Sequence, residues 1–206
     1  MMPHEPSPES VSAKAAALEQ AWQAVHLAHE AFERAEVRER SSRLGELFTA
    51  LSPLLEQAIH QVALRHFLLL PMEMALARLF ARTIRRGQLP KSRLMYQLWV
   101  ESSLLQALAD PTDALGSTNG APGEPSGELQ VRFNRLRQDD RALLYLYLVE
   151  GCSVQEVVHF SGIPQTKVVA DLRRVWRLLQ RGGSVPFPEC WHYPEFVQDG
   201  LVAEGD

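Results

Sequence analysis

Apolar residues recur at three- and four-residue intervals along most of this chain, and nowhere do they alternate with the period of two that marks a half-buried strand. Leu18, Trp22, Val25 and Phe32 form one stripe, and Leu44, Leu47, Phe48 and Leu51 begin a second. Ser52-Pro53 follows, a cap-and-start pair that predicts either a new helix or a kink in the old one, and Leu54, Leu55, Ala58, Ile59 and Val62 continue the stripe. Pro71 and Gly87 bracket a helix bearing Leu76, Leu79 and Phe80, and a further helix is expected from about Ser92 to Ala109. Downstream, Leu143, Leu144, Tyr147 and Leu148 share one face of a helix over 136–149, with Gly151 as its C-cap. Ser153 and Glu156 have the capping-box spacing and predict a short helix that ends near Gly162, where glycine makes a left-handed turn cheap. Ile163-Pro164 then leads into a last helix with Val168, Leu172, Val175 and Leu179 buried. The expected fold class is all-α.

Composition divides the pattern. Residues 110–128, DPTDALGSTNGAPGEPSGE, are too poor in apolar groups to offset their ordering entropy, so they read as a flexible linker. The expected organisation is a disordered tail at 1–11, a helical domain at 12–109, the linker, a second helical domain at 129–181, and an acidic tail at 182–206 rich in aromatic residues and proline. The last tail, with SVPFPECWHYPEF, is read as a strap folding back on its own helices, or else as a docking peptide for another protein. The net charge of -4 is unevenly spread. Residues 129–181 hold 9 Lys/Arg against 5 acids, whereas residues 182–206 hold 5 acids and no Lys or Arg. A basic segment between acidic ones is compatible with nucleic-acid binding.

Helix, glycine turn, helix is the helix-turn-helix signature, a frame for presenting the second helix to a DNA major groove. Leu136 to Leu172 resembles region 4 of bacterial RNA polymerase sigma factors of the extracytoplasmic-function type. The resemblance rests on Leu136, Arg141, Leu144, Leu146, Glu150-Gly151, Ser153, Glu156-Val157, Gly162-Ile163-Pro164, Val168 and Leu172, aligned without gaps. Response-regulator helix-turn-helix domains share part of this pattern and rank second. Leu47-Phe48, Pro53-Leu54-Leu55, Met72 to Phe80 and Leu94 to Leu98 are similar, more faintly, to sigma region 2.

The resemblance implies promoter DNA and RNA polymerase core as partners. The candidate DNA-binding residues are Gln165, Thr166 and Lys167 at the start of the last helix, with Arg173, Arg174 and Arg177 further along. The departures are specific. Val169 and Asp171 stand where the family carries cations, and Asp171 would repel phosphates. Met74, Ala77 and Arg78 replace the acidic surface by which the family docks on polymerase, and Trp99 and Glu101 replace much of its basic and aromatic melting helix. A competing reading is therefore a sigma mimic that binds an anti-sigma-like protein or polymerase without reading a promoter.

Other chemistry is thinly represented. His26 and His29 share a helical face, and Cys190 and His192 are close in sequence, but no third ligand accompanies either pair. Arg82, Arg85 and Arg86 read as a basic helix end that complements the dipole. With no phosphate loop, nucleophile elbow or paired-carboxylate motif, no enzymatic activity, cofactor or metal is expected. No apolar run approaches the roughly 20 residues of a membrane helix, the N-terminus MMPHEPSPESVS is unlike a signal peptide, and two distant cysteines fit the cytoplasm.

Overall fold

The structure, a computed structural model, describes residues 8–110 and 125–181. These are all-helical, without a strand. The order is α1 (Pro8–Arg34), α2 (Arg40–His66), α3 (Met72–Arg86), α4 (Arg93–Ala109), α5 (Pro125–Asn134), α6 (Gln138–Leu144), a π-helical turn (Tyr145–Val149), α7 (Val154–Ser161) and α8 (Gln165–Gln180). None of the described helices is long and apolar enough to cross a membrane. The chain divides into two compact units, Met1–Gln61 with Pro71–Leu105, and Val62–Leu70 with Gln106–Asp206.

In the first unit α1, α2 and α3 bury part of each expected stripe, whereas Phe48 is exposed and Leu18, Leu44, Leu76 and Phe80 are half-buried; Ala75 of α3 and the buried residues of α4 were not expected. Trp22, Val25 and Phe32 of α1, Leu47, Leu51, Leu55 and Ile59 of α2, Ala75 and Leu79 of α3, and Tyr96, Val100 and Leu104 of α4 are all buried. Specific contacts tie the four helices together. Tyr96 lies 5.1 Å from Trp22 on one side and stacks on Trp99 at 5.5 Å on the other. Phe80 meets Phe48 edge-on at 4.9 Å. The Thr83 hydroxyl donates to the Leu79 carbonyl, so at 3.0 Å it is left to accept from the Tyr96 hydroxyl. Burial pushes the Tyr96 phenol up, which keeps that donor protonated.

Helix starts and stops depart from expectation in instructive ways. The chain is helical from Pro8, inside the stretch read as a tail, because proline is suited to a first helical turn and an alanine-rich run follows. Of the two outcomes Ser52-Pro53 allowed, no new helix starts there: α2 is one helix from Arg40 to His66. Pro53 is exposed, Leu51, Leu54 and Leu55 beside it are buried, and the Ser52 hydroxyl bonds the Phe48 carbonyl at 2.7 Å. Burial of the stripe outweighs the missing N–H. The expected linker lies mostly outside the described residues, but 125–128 form the start of α5, drawn into helix by Leu129 and Phe133, which are buried. The tail at 182–206 is also outside the described residues.

The second unit is built on Leu129, Phe133, Leu144, Leu148, Val157, Val168, Leu172, Val175, Trp176 and Leu179, a single apolar cluster. Residues 62–70, grouped by sequence with the N-terminal helices, belong to this unit by their contacts. Phe67 ends α2 with a positive φ of 51°, Leu68 is buried, and Leu69 packs against the cluster. The Asn134 side chain reads both sides of Leu69, accepting from its N–H at 2.9 Å and donating to its carbonyl at 2.7 Å. Arg141 donates to three carbonyls, those of Leu136 (2.7 Å), Asn134 (2.9 Å) and His66 (3.2 Å).

The helix expected over 136–149 starts at Gln138 and widens into the π-turn at Tyr145. Glu150 N–H donates to the Tyr145 carbonyl, and Gly151, at φ 69°, lets Cys152 N–H reach the Leu146 carbonyl at 2.9 Å. Glycine at that step has no Cβ to oppose the left-handed conformation.

Candidate functional site

The segment that carried the sequence argument folds as two helices at a sharp bend. Ser153 caps α7 with its hydroxyl accepting from Glu156 N–H at 3.2 Å, while the Glu156 carboxylate accepts from Ser153 N–H at 2.8 Å. Bonds from the Ser153 backbone and hydroxyl hold the Glu156 carboxyl below the usual range. Gly162 ends α7 at φ 66°, with its N–H on the Val158 carbonyl, and Ile163 N–H donates to Ser161 Oγ. Pro164 then precedes α8, and the Pro164 carbonyl accepts from the N–H groups of Lys167 and Val168. Val157 from α7 and Val168, Leu172, Val175 and Leu179 from α8 enter the shared core. This packing fixes which side of α8 faces water.

The expected site residues fall into two groups. Gln165, Thr166, Lys167, Arg173 and Arg177 are exposed. Thr166, Ala170, Arg173 and Arg177 follow one another at four, three and four residues, which places them along one exposed row. Arg174 stands differently. Its guanidinium donates to Asp140 Oδ1 at 2.7 Å and to Asp171 Oδ1 at 3.2 Å, so it is engaged with two carboxylates. Asp171 is thereby paired with a cation and sits half-buried at the flank of the helix. Val169 is likewise half-buried.

Asp140 is a residue whose importance the sequence reading missed. It lies at the start of α6, buried, and binds Arg137 at 3.1 Å as well as Arg174 from α8. Burial opposes its ionisation, but the hydrogen bonds and charges of Arg174 and Arg137 outweigh that, and its carboxyl is held below the ordinary value. The only signal in the sequence is Arg137 three residues earlier. Its link to Arg174 crosses 34 residues and is invisible to local pattern.

The other candidates are placed simply. His26 meets Trp22 edge-on at 4.9 Å, and His29 lies 4.0 Å from Glu33. Among the described residues no group of three or more His, Cys, Asp or Glu is arranged to hold a metal ion. Burial, with Glu156 and Glu150 nearby, pushes the Cys152 thiol up. Arg82 donates to the Ser103 carbonyl at 2.8 Å, and Arg86 lies over the Trp99 ring at 5.6 Å. Arg85 and Arg86 occupy the last turn of α3, before Gly87 at φ 67°. Met74, which stands on the first turns of α3, is exposed. Compared with known proteins, the chain matches no family model, no curated protein and no solved structure.

Proposed function

We propose that the chain is a sigma-factor-like transcription regulator in which α7 and α8 act as a helix-turn-helix, α8 entering the major groove of promoter DNA, and the N-terminal helices contact RNA polymerase. The observation that carries this reading is the exposed side of α8. Lys167, Arg173 and Arg177 are exposed on a helix whose opposite side is anchored in a core, with Gln165 and Thr166 at its N-terminal end. Lysine and arginine at such positions neutralise phosphates, and a glutamine can pair with an adenine edge. Pairing of Asp171 with Arg174 removes part of the like-charge repulsion that Asp171 would otherwise exert on a phosphate.

The test is a salt titration of full-length chain on promoter-sized duplex DNA. Affinity falls steeply as salt rises, and the combined Lys167→Ala, Arg173→Ala and Arg177→Ala variant lowers the salt slope by roughly one per lost phosphate contact. No binding at low salt overturns the DNA-reading mechanism.

A second reading is the sigma mimic, a protein-interaction module for polymerase or an anti-sigma-like protein. One observation favours it: Arg174, though exposed, has its guanidinium engaged with Asp140 and Asp171. Retention of RNA polymerase by the full chain, together with an absence of duplex binding, would select this second reading.

A further inference from the structure

A shallow, largely open hollow of the C-terminal unit lies beside the exposed row of α8. This cleft of about 460 Å³ is lined by five arginines drawn from α5, α6 and α8 and the residues flanking them: Arg132, Arg135, Arg137, Arg174 and Arg181. Asp140 is the one carboxylate in the lining, and Leu136 and Leu178 supply apolar wall.

At least three of these guanidiniums are held by protein groups. Arg132 pairs with Glu128 and donates to the Leu179 carbonyl, and buried Asp140 grips Arg137 and Arg174. Pinned side chains lose little freedom on binding, so the cleft is pre-organised. Glu128, Asp140 and Asp171 offset part of the charge of the five arginines, and the excess of guanidinium over carboxylate leaves the hollow positive. An arginine fork donates from several N–H groups in a plane that matches phosphate oxygens.

The geometry points to a binding site for a small molecule carrying a chain of phosphates, as nucleotides do. The phosphates lie among the guanidiniums and the body of the molecule against Leu136 and Leu178. This site does not depend on α8 reading DNA, since it uses a different set of side chains from Lys167, Arg173 and Arg177.

The experiment titrates the full chain with inorganic tripolyphosphate at low salt, by calorimetry and by thermal unfolding. Saturable one-to-one binding with a rise in Tm is expected. Arg135→Ala with Arg181→Ala weakens it at least about tenfold, because each change removes charge-assisted hydrogen bonds. Arg173→Ala with Arg177→Ala leaves it within about twofold, being outside the lining. Should the first double variant fold poorly, Arg181→Gln alone, at the exposed end of α8, carries the same expectation of weaker binding. Absence of saturable binding overturns the proposal, as does equal weakening by both double variants, which would mark a diffuse charge effect. Loss of duplex DNA binding in the Arg135/Arg181 variant without tripolyphosphate binding also overturns it, making the cleft a track for a nucleic-acid backbone.

Discussion

Gly162 carries the bend on which the functional reading depends, and it does so through its backbone alone. At φ 66° it occupies a conformation that a Cβ disfavours, yet an added Cβ would meet nothing within 4 Å. The penalty for Gly162→Ala is therefore conformational and not steric, and the expected loss is about 1 kcal/mol in urea unfolding. Gly162→Asn should lose less, since asparagine tolerates the left-handed region better. A loss several times larger for alanine would show that the bend is held by something other than backbone preference. Position 162 was legible in the sequence because glycine followed by Ile163-Pro164 has few other uses. The role of Arg141 was not legible, because nothing local announces that one guanidinium will collect three carbonyls.

At the scale of elements, α6 and α8 are joined by the Asp140–Arg174 pair as well as by apolar packing. The folded carboxyl of Asp140 lies below its ordinary value of about 3.9, so the unfolded state binds more protons as pH falls toward that value. The pair's contribution is fully present above about pH 4 and is lost as pH drops through the folded pKa. With Arg174 42% exposed and Arg137 76% exposed, solvent screens the gain, and about 1 kcal/mol is expected. Unfolding of the wild type and Asp140→Asn, compared from pH 6 downward, should show a gap that closes below about pH 4. A gap independent of pH would mean that the asparagine disturbs packing and that the charge contributes little. The apolar stripes of these helices were readable from spacing, whereas the ion pair needed two helices to meet.

For the molecule as a whole, the C-terminal unit is assembled from discontinuous chain, Val62–Leu70 joining residues beyond Gln106. Arg141 fixes that junction by holding the His66 carbonyl together with those of Asn134 and Leu136. Its removal leaves three partly buried carbonyls short of a donor. Arg141→Ala should destabilise this unit by about 2–4 kcal/mol, read from denaturant unfolding. Arg141→Lys should recover only a part, because an ammonium donates from one point and cannot span three carbonyls as a guanidinium fork does. Full recovery by lysine would reduce the role of Arg141 to charge. The net charge of -4 says little about binding at this scale, since one cleft gathers five arginines.

The sequence by itself determined the helical class, much of the core-facing stripes of α1, α2 and α8, the capping box at Ser153 and the left-handed turn at Gly162. Each of these is set by interactions within a few residues: apolar period, cap spacing and glycine's missing Cβ. Tertiary structure alone decided that α2 runs through Pro53 and that residues 62–70 join the C-terminal unit. It also decided that Arg174 is held by Asp140 while Arg173 and Arg177 stay exposed, and that five arginines converge on one cleft. Those outcomes depend on which surfaces meet between residues distant in sequence, as Asp140 and Arg174 do across 34, and local spacing carries no record of such meetings.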